Sequence, residues 1–156
     1  MLMPGEAYVS RDAIRFAMVA EDEPYFSKED EVFDKFVKTI DLHLAANQTV
    51  YADATHLNYG SRMKLLNALS VKPDAIEIIY MKTPLKVCLE RNATRKGTRA
   101  FVPEDVLEKM HRGIKMPKWR EGEYEYAMIW IKKPDCVIEE KEGKKDVNIC
   151  DERFAF

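Results

Sequence analysis

From Val32 to Leu44 each of the apolar residues Val32, Phe33, Phe36, Val37, Ile40 and Leu44 has another of them three or four positions away. That spacing puts them on one face of a helix. Such a face must be buried, and its nearest neighbours in sequence are short apolar runs of strand type. Ala7-Tyr8-Val9 precedes it and Thr49-Val50-Tyr51-Ala52-Asp53 follows it. The alternation continues downstream. Ala75 to Met81 reads as a strand, Thr83-Pro84 opens a helix through Val87, Cys88 and Arg91, and Pro103 to Ile114 reads as a helix with Val106, Leu107 and Met110 inward. Tyr126 to Ile131 is a further strand. Strands alternating with helices predict an α/β domain with a largely parallel sheet. In such folds function gathers at the carboxyl ends of the strands.

Local signals refine the boundaries. Ser10 is placed to cap a helix beginning at Arg11, with Ile14 and Val19 inward. Ser27 predicts the start of the second helix, with Asp30 as a weak capping-box partner. Arg62 to Leu69 is amphipathic through Met63, Leu66 and Leu69. Val137-Ile138 and Val147-Asn148-Ile149 flank a charged run, which predicts a C-terminal hairpin over 135–150. Trp119 and Trp130 are assigned to packing.

At 156 residues the chain is long enough for one domain with its own core, residues 1–156. Its formal net charge of -2 gives no global argument for nucleic acid, so any anion site must be local. Cys88, Cys136 and Cys150 are far apart, and no metal-type spacing joins them to His43, His56 or His111. No metal ligands are assigned. A reduced, cytoplasmic setting is the expectation, with no membrane segment.

Three polar motifs follow predicted strands directly. In Ser10-Arg11-Asp12-Ala13-Ile14-Arg15, Asp12 and Arg15 are neighbours on a helix's opening turn. A carboxylate there is able to accept a hydroxyl proton while the arginine holds an anion; equally, Asp12 suits a helix start through the dipole. In Asp53-Ala54-Thr55-His56-Leu57-Asn58, Asp53 is placed to hold a metal-bound water, and Thr55 and Asn58 to hydrogen-bond a substrate; an Asx-type turn is the alternative. The third, residues 91–103, carries Arg91, Arg95, Lys96 and Arg99 and no acidic residue. Arg91 and Arg95 are expected on one helical face, Gly97 to release that helix, Arg99 to lie on the turn, and Val102-Pro103 to start another. Forked guanidinium groups suit phosphate oxygens, although a solvated basic turn has the same composition.

Together, Arg11-Asp12-x-x-Arg15, Asp53-x-Thr55-x-x-Asn58 and Arg91-Asn92-x-x-Arg95 with Gly97 and Val102-Pro103 resemble the kinase domain of phage-type polynucleotide kinases and the wider P-loop kinases around them. Order and spacing agree over roughly residues 7–115. The resemblance implies a three-layer α/β fold, ATP and Mg²⁺ as cofactors, and a 5′-hydroxyl of DNA or RNA as acceptor. It implies Asp12 as general base, Arg15 as holder of the acceptor's phosphate, Arg11 as its companion in the acceptor motif, and Arg91, Arg95 and Arg99 as a basic lid over the nucleotide phosphates. Asp53 matches a strand-end aspartate near the donor.

One part is missing. None of the six glycines is followed by Lys-Ser or Lys-Thr, so these 156 residues carry no Walker A loop. The family's first strand, which precedes that loop, would lie between the strands matching Thr49–Asp53 and Ala75–Met81. The chain is then a shortened kinase, a short form whose sheet is completed by rearrangement or by a partner chain, or a non-catalytic descendant. The joint presence of Asp12, Arg15, Arg91 and Arg95 favours the first. A module that binds nucleotide or nucleic-acid phosphate without chemistry, and a kinase acting on a small molecule, are the competing functions.

Overall fold

The computed structural model describes residues 3–81, 83–115, 127–132 and 138–140. The chain divides into two compact units, Met1–Pro73 and Asp74–Phe156.

In the first unit, strand β1 (Glu6–Ser10) runs parallel to β2 (Thr49–Asp53), with Glu6 opposite Thr49 and Ser10 opposite Asp53. Alternation of side chains then separates two faces. Ala7, Val9, Val50 and Ala52 lie on one; Glu6, Tyr8, Ser10, Thr49, Tyr51 and Asp53 lie on the other. The apolar face meets α2 (Glu29–Ala45) and α3 (Tyr59–Ala68) in a core of Val9, Phe36, Val37, Ile40, Leu65 and Leu69. Phe36 and Val32 are wholly buried, as the period of α2 predicts. On the polar face the tyrosines bond across the strands. Tyr51 Oη donates to Glu6 Oε1 at 3.0 Å and Tyr8 Oη to Asp53 Oδ2 at 2.5 Å.

Helix α1 (Arg11–Met18) begins where Ser10 predicts, and Ser10 Oγ accepts from the Ala13 N–H. Helix α2 starts later than Ser27 predicts, with Lys28 at its cap and no side-chain cap bond. The Ser27 N–H is already used in a turn closed by the Pro24 carbonyl, at 2.9 Å. Glu29, Asp30 and Glu31 instead favour that first turn through the helix dipole. At its other end Asn47 takes a left-handed φ of 61°. The Asn47 and Gln48 N–H groups return to the Leu44 and His43 carbonyls, closing a Schellman-type stop. Helix α3 starts three residues before Arg62, because Asn58 and Ser61 cap each other reciprocally. Leu65 and, at the C-cap, Leu69 are buried in the core and Leu66 packs against it; of the expected Met63, Leu66 and Leu69, Met63 is the one outside that cluster.

In the second unit β3 (Ile76–Met81) runs parallel to β4 (Ala127–Lys132), and β4 is antiparallel to β5 (Ile138–Glu140). Helices α4 (Leu85–Ala93) and α5 (Glu104–Gly113) pack on each other. No residue of α5 is fully buried; of its expected inward residues Leu107 and Met110 are half-buried, while Val106 is exposed, contrary to expectation. Of the expected hairpin, β5 is present and pairs with β4; its second arm at 147–149 lies outside the described residues, as do Trp119, Cys136 and Cys150.

The fold is therefore the mixed α/β type with parallel strand pairs. No described helix is long and apolar enough to cross a membrane.

Candidate functional site

Because β1 and β2 are parallel and end in register, the Ser10–Arg15 turn and Asp53 emerge at the same carboxyl edge. Two of the three motifs meet there. Asp12 sits in the first turn of α1, its side chain 64% exposed. Arg15 Nη1 donates to Asp12 Oδ1 at 2.5 Å, and Tyr25 Oη donates to the same oxygen at 3.0 Å. Among the described residues nothing binds Asp12 Oδ2. One carboxylate oxygen is thus clamped and the other is open.

Arg15 is the most buried charge of the first unit, at 5% exposure. Its Nη2 donates to Glu29 Oε2 at 2.6 Å, and its guanidinium lies 4.7 Å from the Tyr25 ring centre and 5.5 Å from that of Phe26. Burial alone would lower its pKa, but hydrogen bonding to Glu29 and Tyr25 outweighs this and the pKa is raised. Arg11 bonds the other Glu29 oxygen and covers the Phe33 ring at 5.2 Å. Glu29 therefore bridges both arginines of the first motif. Neither Glu29 nor Tyr25 is visible as a site residue in the sequence, because only the folding back of the 19–28 connection brings them to α1.

At the second motif, Asp53 Oδ2 accepts from Tyr8, and this bond is the main cause that raises the Tyr8 pKa. Asn58 Oδ1 accepts from the Ser61 N–H at 3.0 Å, capping α3. Thr55 is exposed on the loop between them. His56 adopts a φ of 36°, unusual for a residue with a side chain, and its carbonyl accepts from Arg62 Nη1 at 3.3 Å. Burial, with Arg11 and Arg62 nearby, holds its pKa below the ordinary value, and its Nε2 is buried without a partner.

A pH dependence follows. The unfolded chain binds a proton at His56 more readily than the folded one does, so protonation favours unfolding. Stability attributable to His56 is complete above about pH 6.5 and falls as pH drops from there towards the lower folded-state pKa. Urea midpoints between pH 7.5 and 5 are expected to fall more steeply in the wild type than in His56→Phe.

The basic segment belongs to the second unit. Helix α4 ends at Ala93, with Thr94 at its cap, so Arg91 lies on its last turn and Arg95 beyond it. The two arginines do not share a helical face as the sequence predicts. Successive i to i+3 turns carry the chain on, closed by the Arg95, Lys96, Thr98 and Phe101 N–H groups, and the Thr94 and Thr98 hydroxyls donate back to the Arg91 and Arg95 carbonyls. Gly97, at φ 84°, serves a turn inside the segment rather than a helix end. Pro103 is the α5 cap residue.

Asn92 closes this loop. It is 3% exposed; its Nδ2 donates to the Val102 carbonyl at 2.7 Å and its Oδ1 accepts from the Val102 N–H at 3.0 Å. The basic residues between are thereby held in one short loop. Arg91, Arg95 and Lys96 are exposed, and no described carboxylate pairs with them. Asn92→Ala leaves two part-buried backbone groups of Val102 without this partner, a loss of about 1–3 kcal/mol. Hydrogen exchange across 94–102 is expected to rise in that variant while β1 and α2 stay protected.

Each unit by itself carries groups that suit a nucleotide. Exposed, forked cations on a closed loop suit phosphate oxygens. Asp53 is a single carboxylate of the kind that holds Mg²⁺ with water and substrate oxygens. Among the described residues no group of three His, Cys, Asp or Glu gathers for a metal. The lysine and loop amides of a Walker A motif are not in this sequence.

A family model described as an AAA domain matches residues 4–117, a span that contains all three motifs and well over half of the chain. No curated protein and no solved structure matches. The chain belongs to the AAA domain family of nucleotide-binding, kinase-like P-loop domains, though the loop itself is not among these 156 residues.

Proposed function

We propose that this domain serves ATP-dependent phosphoryl transfer to a hydroxyl, with Asp12 as the general base and the 5′ end of a polynucleotide as acceptor. The observation that carries this is the half-clamped carboxylate at the strand edge. Arg15 and Tyr25 fix Oδ1, so Oδ2 presents its lone pairs in one direction. A hydroxyl held there loses its proton to Oδ2 as its oxygen attacks. ATP with Mg²⁺, when bound, supplies the phosphoryl group. The arginines of 91–99 are of the kind that meets charge developing on a transferring phosphoryl group. Asp53 would hold a metal-bound water after turning from Tyr8.

A small-molecule acceptor is the second reading. The loop that brings Tyr25 to Asp12 also carries Glu21, Asp22 and Glu23, while Arg11, Arg15 and Lys28 are all paired with carboxylates. Acidic surroundings of this kind repel a polyanion.

The test is a version of the protein carrying a Walker A strand and loop, given labelled ATP and a panel of acceptors. Label on a 5′-hydroxyl oligonucleotide is the expected result. Label only on small alcohols moves the assignment to the second reading, and nucleotide binding without transfer leaves a phosphate-binding module.

A further inference from the structure

Glu29 places a carboxylate where the acceptor motif's arginines converge. One of its oxygens bonds Arg11 and the other bonds Arg15, so a single anion spans both guanidinium groups. Two guanidinium groups four residues apart on one helix make a site for a tetrahedral dianion. Here that site is filled by a side chain from the first turn of the next helix. Each of these guanidinium groups also has an unused donor: Arg11 Nε and Arg15 Nε are buried with no hydrogen-bond partner. A carboxylate has two oxygens and satisfies one nitrogen on each arginine. A phosphate group brings more acceptor oxygens and can reach further donors.

We propose that Glu29 is an internal occupant of a two-arginine phosphate site, displaced when a phosphate group of the acceptor binds Arg11 and Arg15. The inference takes the acceptor side from the reading above, yet it concerns binding alone and stands or falls without ATP. Glu29 competes intramolecularly, so the measured affinity for phosphate is the intrinsic one reduced by the fraction of molecules with Glu29 undocked. A phosphate on the acceptor gains by exchange with a carboxylate rather than by filling an empty site. Glu29 thereby sets how strongly phosphorylated acceptors are preferred over unphosphorylated ones.

The experiment titrates inorganic phosphate into the 156-residue chain at constant ionic strength and follows binding by calorimetry. Glu29→Gln removes the competing charge and keeps the side chain's length. It is expected to bind phosphate about tenfold more tightly than the wild type, or better, if Glu29 is docked in nine molecules of ten. Glu31→Gln, an exposed residue on the same turn, makes the same change in net charge and is expected to stay at the wild-type affinity. Glu29→Asp, too short to bridge both arginines, provides a second variant and is expected between the two. Equal affinities for wild type and Glu29→Gln would overturn the proposal, as would an equal gain in Glu31→Gln. If Glu29→Gln folds only when phosphate is present, the proposal is supported. If neither Glu29 variant folds with or without phosphate, Glu29 is a structural residue and the proposal fails.

Discussion

Asp12→Asn, in a version of the protein carrying a Walker A loop, is expected to lower turnover by roughly 10²–10⁴-fold, the usual loss for a general base. The structure makes this a clean substitution. An asparagine oxygen can still accept from Arg15 and Tyr25, which now hold Asp12 Oδ1. Arg15 keeps Glu29 as its counter-charge, so the buried guanidinium is not left uncompensated. What is lost is the open oxygen's ability to take a proton. Nucleotide affinity, measured separately by titration, is expected to stay nearly unchanged, since only an interaction of the transition state has been removed. Near-normal turnover would reduce Asp12 to a helix-start residue.

Phe36→Ala is expected to destabilise the first unit by about 3–5 kcal/mol, as fully buried aromatic truncations do. Phe36 is 0% exposed and packs with Val9, Val37, Ile40, Leu65 and Leu69. It also lies 6.4 Å from the His56 ring, so the cavity would open beneath the Asp53–Asn58 loop. Against a typical total of about 5–15 kcal/mol, such a loss leaves α2 marginal. Glu29 is the first residue of α2, and the carboxylate bridge to Arg11 and Arg15 is expected to loosen with it. A urea midpoint lowered at unchanged slope is the expected signature. A shift as small as that of an exposed-residue variant would mean the core is not where the structure puts it.

The parts legible in the sequence are those fixed by local rules. Ser10 as a cap, the periodic face of α2 and the strand character of Thr49–Asp53 each depend on neighbours within a turn or two, and each is present. The parts that were not legible depend on chain segments returning. Tyr25 and Glu29 reach Arg15 across separations of 10 and 14 residues, and no spacing rule forecasts where the Pro24 turn delivers them. Asn92 stands inside a quoted motif, yet its task appears only once Val102 is seen against it. The misplaced helix end in the basic segment has a local cause. Thr94 and Thr98 turn their hydroxyls back on carbonyls, and such side-chain bonds favour turns over a continuing helix. Arg15 is singled out in the sequence by its spacing from Asp12, but its burial between two carboxylates is not legible there.

Under the proposed function, Asp12 and the arginines serve a phosphotransferase whose phosphate loop these 156 residues do not carry. The most direct measurement compares the 156-residue chain with a folded version that carries a Walker A strand and loop, each given labelled ATP and hydroxyl acceptors. The account predicts no appreciable transfer by the first and Asp12-dependent transfer by the second. Robust turnover by the 156-residue chain, or none by the loop-bearing protein on any hydroxyl, would contradict it.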